Sequence, residues 1–164
     1  MVMKTLVIYD SCFGNTEQIA RAMAEALGTA EGVKIDSLEP QHLEGVDLLL
    51  VGSPTQSFRP TPAIMNWIQS LPTRRLQGVR VAGFDTRIPM DDPGVPGIMR
   101  FAVRLIGQRV YAAPAIVKGL VGRGGQMTVP PEGFFVTTDK EPTLIDDELG
   151  RAVAWAQRVA STRG

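Results

Sequence analysis

Short apolar runs recur along the chain and predict strands. Residues 6–9, 47–51 and 79–84 are mostly continuous apolar runs, which is typical of strands that are buried on both faces of a parallel sheet. Residues 33–38 alternate between apolar and polar side chains and form a weaker strand candidate. Residues 128–137 are predicted to form a fifth strand.

Amphipathic stretches lie between these runs and predict helices. Residues 16–27 carry an apolar stripe with helical spacing, and Thr61 with Pro62 is a good start for the next helix. A last helix is predicted over residues 144–159. Its predicted inward residues are Leu149, Val153, Ala156 and Val159. Because crossovers between parallel strands are right-handed, this alternation predicts an α/β fold, an open parallel sheet with helices on both faces.

The segment after the third apolar run is too long for one loop and one helix, and we predict two helices there, over residues 98–106 and 115–122. The first lies in an insert at about residues 93–111, which a Pro- and Gly-rich stretch introduces. Its apolar face comprises Ile98, Phe101, Ala102, Leu105 and Ile106. This face either covers core or forms a lid or a partner surface, and the sequence leaves both interpretations open.

Several conspicuous side chains have an ordinary structural explanation. Trp67 and Trp155 lie on the apolar stripes of predicted helices, so we expect core packing. Asp146, Asp147 and Glu148 open the last helix and suit its positive end. We therefore assign none of them to a site.

Composition narrows the class of protein. The 164 residues are 44% hydrophobic, which suits a single domain over residues 1–164. The 17 basic residues balance the 17 acidic ones, so no broad field favours nucleic acid or an anionic membrane. Cys12 is the only cysteine, and the sequence carries neither a signal-peptide pattern nor a transmembrane run. We expect a cytoplasmic protein.

The loop after the first strand has the composition of an anion site. It reads Asp-Ser-Cys-Phe-Gly-Asn-Thr over residues 10–16, and a helix starts within it. Backbone N–H groups and the positive end of that helix converge there, which favours a phosphate. Ser11 and Thr16 can donate from hydroxyl groups, Gly14 permits close backbone approach, and Asn15 tolerates unusual dihedral angles. The loop contains no lysine.

Other phosphate chemistries do not fit this loop. The Gly-Lys-Ser/Thr of nucleotide triphosphatases and the three glycines of the dinucleotide fingerprint are both missing. A phosphatase with Cys12 as nucleophile would need an arginine at position 18, which is Gln18. A phosphorylated receiver domain would need an aspartate after the third strand, where residues 52–54 read Gly-Ser-Pro.

The remaining pattern resembles the flavodoxins. Residues 9–17 resemble their phosphate loop, a hydroxyl residue followed by two variable positions and Gly-Asn-Thr. The Gly-Ser-Pro-Thr of residues 52–55 resembles the start of their second flavin loop. Residues 82–87 and 131–136 resemble a poorly characterised flavodoxin-like subgroup with a Phe-Asp-Thr-Arg third loop. The resemblance implies a three-layer sandwich with a five-stranded parallel sheet of order 2-1-3-4-5.

The resemblance also implies FMN as cofactor and three loops that hold it. The phosphate would be wrapped by Ser11, Cys12, Phe13, Gly14, Asn15 and Thr16. The second loop would lie along the ring and comprises Pro54, Thr55, Gln56, Ser57 and Phe58. The third loop comprises Asp85, Thr86 and Arg87. No catalytic residue and no metal ligand is predicted.

Two departures from the electron carriers of this family affect the expected function. Residues 85–92 contain no aromatic side chain to stack on the flavin, and the chain is neutral where those carriers are acidic. Arg87, if it faces the pyrimidine side of the ring, would stabilise the anionic reduced flavin and raise its potential.

Three functional hypotheses follow. The first is an FMN-binding electron-transfer protein that serves a redox partner protein or a small-molecule acceptor. The second is an FMN-dependent NAD(P)H:quinone-type oxidoreductase. The third is an interaction domain that kept the sheet and lost the flavin.

Overall fold

The computed structural model describes residues 2–163. Strands and helices alternate along the chain, with short 3-10 helices in some connections. The strands are β1 (Thr5–Tyr9), β2 (Ala30–Lys34), β3 (Leu48–Pro54), β4 (Arg80–Arg87), β5 (Gln126–Met127) and β6 (Glu132–Phe135). The helices are α1 (Asn15–Leu27), α2 (Pro62–Ser70), α3 (Gly97–Ile106), α4 (Ala112–Gly122) and α5 (Glu148–Ser161).

The strands form one parallel sheet in the order β2-β1-β3-β4-β5, and β6 also pairs with β4. The predicted order is therefore confirmed. The strands β1, β3 and β4 occupy the centre, where they are buried on both faces. This burial explains why their sequences read as continuous apolar runs.

The bounds of the predicted fifth strand, residues 128–137, are wrong: the segment contains β6 but not β5. Residues 126–127 and 132–135 form two separate strands that both pair with β4. Pro130 and Pro131 lie between them, and since proline has no N–H to donate, this stretch cannot continue the ladder.

Two further boundaries differ from the prediction. The second strand begins at Ala30 and ends at Lys34, and residues 35–37 form a 3-10 helix instead of continuing the predicted strand. The last helix begins at Glu148, so residues 144–147 precede it. Leu149 is exposed although we expected it inward, and Ala152 and Trp155 fill the buried stripe with Ala156 and Val159.

Each face of the sheet carries its own apolar layer. Leu49, Val51 and their neighbours on one face pack against α2 and α4. Leu50 and Phe84 on the other face pack against α1 and α5. Trp155 lies in this second layer and contacts Phe84 edge-on at 6.0 Å between ring centroids, which confirms its predicted core role. Two packed layers hold the strand ends at fixed positions.

The insert folds as α3 and a following 3-10 helix over residues 107–110. The α3 stripe does not cover core, because Ile98, Phe101 and Leu105 are all exposed. The opposite side of α3 faces the protein, where Met99 is partly buried. Of the two interpretations of this stripe, core cover is therefore excluded.

Candidate functional site

Two adjoining cavities lie at the carboxyl ends of β1, β3 and β4, where ligands bind in open parallel sheets. The first, which we call the anion cavity, has a volume of about 200 Å³. The second, which we call the apolar cavity, has a volume of about 410 Å³. Thr55, Arg87 and Ile88 line both, so the two cavities are continuous along these residues.

The wall of the anion cavity is rich in backbone donors. Within residues 2–163, no acceptor receives a hydrogen bond from the N–H groups of Cys12, Phe13, Asn15 or Thr16. Asn15 and Thr16 are also the first residues of α1, whose dipole is positive at this end. Unpaired amides at a helix start are suited to bind an anion.

Two features of the loop hold these amides in place. Gly14 has a φ of 85°, a left-handed conformation that glycine adopts without strain. The Ser11 Oγ accepts hydrogen bonds from the N–H groups of Gly14 (3.1 Å) and Glu17 (3.3 Å). Because the Ser11 hydroxyl accepts both bonds, its own hydrogen remains available for a ligand.

Side-chain bonds connect this loop to the rest of the site. The Thr16 and Thr86 hydroxyls are 2.9 Å apart and buried, which couples α1 to the end of β4. The Asn15 amide donates to the Pro142 carbonyl at 2.8 Å. The Gln56 amide lies 2.8 Å from the Cys12 sulfur. The anion cavity is thus fixed from three sides before any ligand enters.

The second loop forms a tight turn that presents an aromatic ring. Gln56 and Arg59 exchange backbone hydrogen bonds of 2.8 and 2.9 Å, and Ser57 and Phe58 between them have positive φ values of 48° and 65°. Such a conformation is strained for residues with side chains and persists where the surroundings enforce it. The turn places Phe58 on the wall of the apolar cavity.

A buried ion pair lies beneath the boundary between the two cavities. Both oxygens of the buried Asp85 carboxylate accept from Arg87, at 2.7 and 2.8 Å, and the Ala113 N–H at the start of α4 donates a third bond of 2.8 Å. Burial raises the pKa of the Asp85 carboxyl, and the bonds from Arg87 and Ala113 oppose that rise. The pair as a unit is neutral.

Arg87 is stacked as well as paired. Its guanidinium carbon lies 3.6 Å from the centroid of the Tyr111 ring, within the range of a cation–π contact. Burial raises the pKa of the Tyr111 phenol, which is therefore un-ionised near neutral pH. The stack places an aromatic ring on the wall of the apolar cavity, although residues 85–92 contain none.

Gly133 of β6 makes room for this arrangement. A Cβ at this position would collide with the Arg87 guanidinium. Here the small residue is required by a close approach, and its backbone conformation is ordinary.

The structure brings most of the predicted site residues together. The anion cavity is lined by Ser11, Cys12, Phe13, Asn15, Thr16, Pro54, Thr55, Gln56, Thr86 and Arg87, and the apolar cavity adds Ser57 and Phe58. Gly14 lines neither cavity, and its positive φ sets the conformation of the loop. Asp85 lies below the cavities and acts on them through Arg87.

Sequence reasoning missed the residues that later segments contribute. The missed lining residues are Ile88, Met90, Met99, Val110, Tyr111, Val136 and Pro142. Three of these lie in the insert, so its inner side is a cavity wall. Only the absence of an aromatic from the third loop signalled that a wall had to come from elsewhere.

Within residues 2–163 no helix is long and apolar enough to cross a membrane, and no three metal-binding side chains come together.

The family comparison agrees with this geometry. The family model for flavodoxin matches residues 7–85, which include the anion-binding loop, the second loop and Asp85. This part of the chain is similar to the flavodoxins. No curated protein matches the sequence.

Solved flavodoxin structures share the fold of this chain over nearly its whole length. The oxidised flavodoxin 1 of Bacillus cereus superimposes with a TM-score of 0.72 at 18% identity, over 98% of this chain and 99% of that one. A WrbA-like flavodoxin from Agrobacterium tumefaciens superimposes with a TM-score of 0.68 at 20% identity, over 97% and 96% of the two chains. A flavodoxin from the domain Archaea gives a TM-score of 0.70 at 17% identity, over 96% of each chain.

The flavodoxin family implies FMN as the cofactor, and the two cavities fit that group. A phosphate matches the four unpaired amides, and a planar apolar ring matches the adjoining cavity. No lysine lies in the loop, and Arg87 on the cavity wall is compensated by Asp85. The residues present therefore suit an anion held by N–H and O–H donors.

Proposed function

We propose that this protein binds FMN and transfers electrons to or from a redox partner. The observation that carries the proposal is one continuous site in which unpaired amides at the start of α1 adjoin an apolar cavity with aromatic side chains on its wall. Binding an apolar ring that carries one phosphate requires these two environments side by side.

In this proposal the first loop binds the phosphate. The N–H groups of Cys12, Phe13, Asn15 and Thr16 and the Ser11 hydroxyl donate to its oxygens. Hydrogen bonds between neutral donors and a charged acceptor are stronger than neutral ones. The helix dipole of α1 adds to the attraction.

The flavin ring supplies the redox chemistry when it is bound. Thr55 lines both cavities, Gln56 lines the anion cavity next to it, and both can bond the polar edge of the ring. The Thr55 Oγ1 already accepts from the Ala112 N–H at 3.0 Å, so its hydrogen is free to be donated. Met90 and Met99 exclude water from the cavity with apolar, adaptable side chains.

Arg87 affects the ring less than a free guanidinium would. Its charge is compensated by Asp85 at 2.7 Å. An effect of Arg87 on the flavin potential stays a prediction, with a smaller expected size.

The test starts with FMN and the purified protein. We expect flavin absorbance in the visible blue, or its appearance with a saturable heat when FMN is added to flavin-free protein. A colourless protein that gives no heat with FMN would contradict the proposal and favour the flavin-free interaction domain.

A second test adds NADPH anaerobically to the FMN-loaded protein without any other protein. We expect no bleaching, whereas direct bleaching would favour the oxidoreductase.

Two glycines provide a matched pair of variants for this titration. Gly14 and Gly45 both have positive φ, 85° and 68°, and in both cases no atom lies within 4 Å of an added Cβ. Replacing either by alanine therefore carries a similar backbone cost of about 1–2 kcal/mol. Only Gly14→Ala should weaken FMN binding, because Gly14 lies in the loop that supplies the amides. Gly45 lies just before β3, at the end of the sheet away from the cavities.

We also keep as predictions one domain over residues 1–164, a cytoplasmic location, and the identity of the partner as a protein or a small molecule.

A further inference from the structure

The exposed side of the insert combines apolar and cationic groups. Ile98, Phe101 and Leu105 form a stripe along α3 with exposed fractions of 78%, 60% and 71%. Arg104 neighbours Phe101 at helical spacing, Arg100 is exposed further round the same helix, and Arg109 follows in the 3-10 helix. We call these six residues the α3 patch.

The charges of the α3 patch are unusual for this chain. The sequence is neutral as a whole, yet residues 97–110 contain three arginines and no acidic residue. Within residues 2–163, no carboxylate lies within ion-pair distance of Arg100, Arg104 or Arg109. Arg100 donates only to the Asp92 backbone carbonyl, at 2.8 Å. The patch is therefore cationic and uncompensated.

The patch is attached directly to the proposed flavin site. Met99 of α3 lines the apolar cavity on the inner side of the helix that carries the patch outside. A protein docked on the patch therefore sits one helix away from the cavity. This proximity is what electron transfer needs.

We propose that the α3 patch is the docking surface for an acidic redox protein, whose apolar centre covers the stripe and whose carboxylates pair with the arginines. The proposal rests on the proposed electron-transfer function. Complementary charge selects the partner and speeds its association. A second copy of this chain fits less well, because two-fold pairing through the stripe would bring cationic segments together.

The electron balance is simple. When a reduced acidic [2Fe–2S] ferredoxin serves as the probe, its cluster is oxidised by one electron and the bound flavin is reduced by one electron. No further reactant is required.

The test measures ferredoxin binding by calorimetry and electron transfer by stopped-flow absorbance, both with the FMN-loaded protein at low ionic strength. Arg100→Glu with Arg104→Glu should lower the affinity and the second-order rate constant about 10-fold or more. High salt should remove most of this difference. The same variant should react faster with basic cytochrome c.

The control is Arg74→Glu with Arg75→Glu, an equal change in net charge in the connection between α2 and β4, at the end of the sheet away from the cavities. It should leave the affinity for ferredoxin nearly unchanged. An equal loss in both variants would show a bulk charge effect and overturn the proposal.

Phe101→Ser tests the apolar part without changing charge. It should lower ferredoxin affinity severalfold at low and high salt. Two results would identify another occupant and overturn the proposal: a dimer in sedimentation that Phe101→Ser dissociates, or binding to anionic phospholipid vesicles without binding to ferredoxin. FMN affinity is measured for every variant, so a failure of the flavin site is recognised separately.

Discussion

The anion cavity and the apolar cavity adjoin each other but are built in different ways. The anion cavity takes its donors from the backbone of one continuous loop, residues 11–16. The apolar cavity takes its wall from side chains of four separated stretches, which supply Thr55, Arg87, Met99 and Tyr111 among others. The amide donors of the anion cavity are local to one loop, whereas the wall of the apolar cavity exists only after the sheet and the insert have folded.

This difference determines what each cavity tolerates. Backbone donors are present whatever the side chains are, so the anion cavity depends on the loop conformation that Gly14 and Ser11 maintain. The apolar cavity depends on side-chain identity and on support from below, where Asp85 holds Arg87. We therefore expect separate perturbations to affect separate parts of the flavin.

Removal of the phosphate from the ligand should have the largest effect. Riboflavin cannot use the amides of the anion cavity, and several charge-assisted bonds are each worth about 1.5–3 kcal/mol. We expect riboflavin to bind about 1,000-fold more weakly than FMN, which calorimetry or fluorescence titration measures.

The control for this comparison is inorganic phosphate. It should compete with FMN but leave the weak binding of riboflavin unchanged. Equal affinities for FMN and riboflavin would show that the anion cavity does not bind the phosphate.

The two cavities also differ in how far the sequence predicts them. The Ser-x-x-Gly-Asn-Thr loop is recognisable because its function depends on residues that are adjacent in the chain. Tyr111 is 24 residues beyond Arg87, at the end of the insert, so nothing local connects the two side chains that stack. A contact that forms only when the chain folds has no characteristic spacing by which it could be recognised in a single sequence.

The fold shows the same limit. Continuous apolar runs identified the central strands β1, β3 and β4 because burial on both faces requires them. The edge of the sheet carries fewer constraints, and there the predicted strand over residues 128–137 missed β5 and ran through the two prolines that precede β6. The exposed stripe of α3 has the same periodicity as a buried stripe, so the pattern predicted the helix but not its environment.

Gly133→Ala should give the next largest effect, on the support of the apolar cavity. The added methyl group displaces Arg87 and leaves the buried Asp85 carboxylate without its partner. Removing one partner of a buried ion pair costs about 3–5 kcal/mol. Because Arg87 is displaced and not removed, it can keep part of its interaction with Asp85, and we expect a loss of about 2–3 kcal/mol in the free energy of unfolding. Urea unfolding of the flavin-free protein measures the loss.

Gly150→Ala is the matched control for that variant. Gly150 lies inside α5, and no atom lies within 4 Å of an added Cβ. Since alanine is the better helix former, this substitution should stabilise the protein by about 0.5–1 kcal/mol. Destabilisation of the same size in both variants would contradict the role of Gly133 at the ion pair.

Tyr111→Ala should have a smaller effect that is confined to the ring. Loss of the aromatic wall should weaken FMN and riboflavin by the same factor, about 10-fold, because both ligands carry the ring and Tyr111 lines only the apolar cavity. The quenching of bound flavin fluorescence should also decrease. Tyr111→Phe keeps the ring and should stay within about twofold of the original affinities. A loss for FMN alone would mean that Tyr111 acts on the anion cavity.

Glu148 gives the smallest predicted effect, which is a dependence of stability on pH. Its carboxylate accepts from the Phe135 N–H at 2.6 Å and from Arg151 at 2.6 and 2.9 Å, which joins the end of β6 to the start of α5. Burial alone would raise the pKa of Glu148, but the bonds from Arg151 and Phe135 outweigh it and lower the pKa below its ordinary value.

A lowered pKa in the folded state means that the unfolded chain takes up the proton first as the pH falls. The stabilisation by Glu148 is therefore complete above its unfolded pKa of 4.5 and disappears as the pH falls through the lower folded value. We expect the free energy of unfolding, measured by urea titration, to decrease as the pH falls through this window, and we expect Glu148→Gln to lack this contribution. Val136 and Pro142, on the segment that Glu148 anchors, line only the anion cavity. In this pH window, acid should therefore weaken the binding of FMN more than the binding of riboflavin, after correction for the ionisation of the phosphate. Equal weakening of both ligands would show that Glu148 supports the whole site.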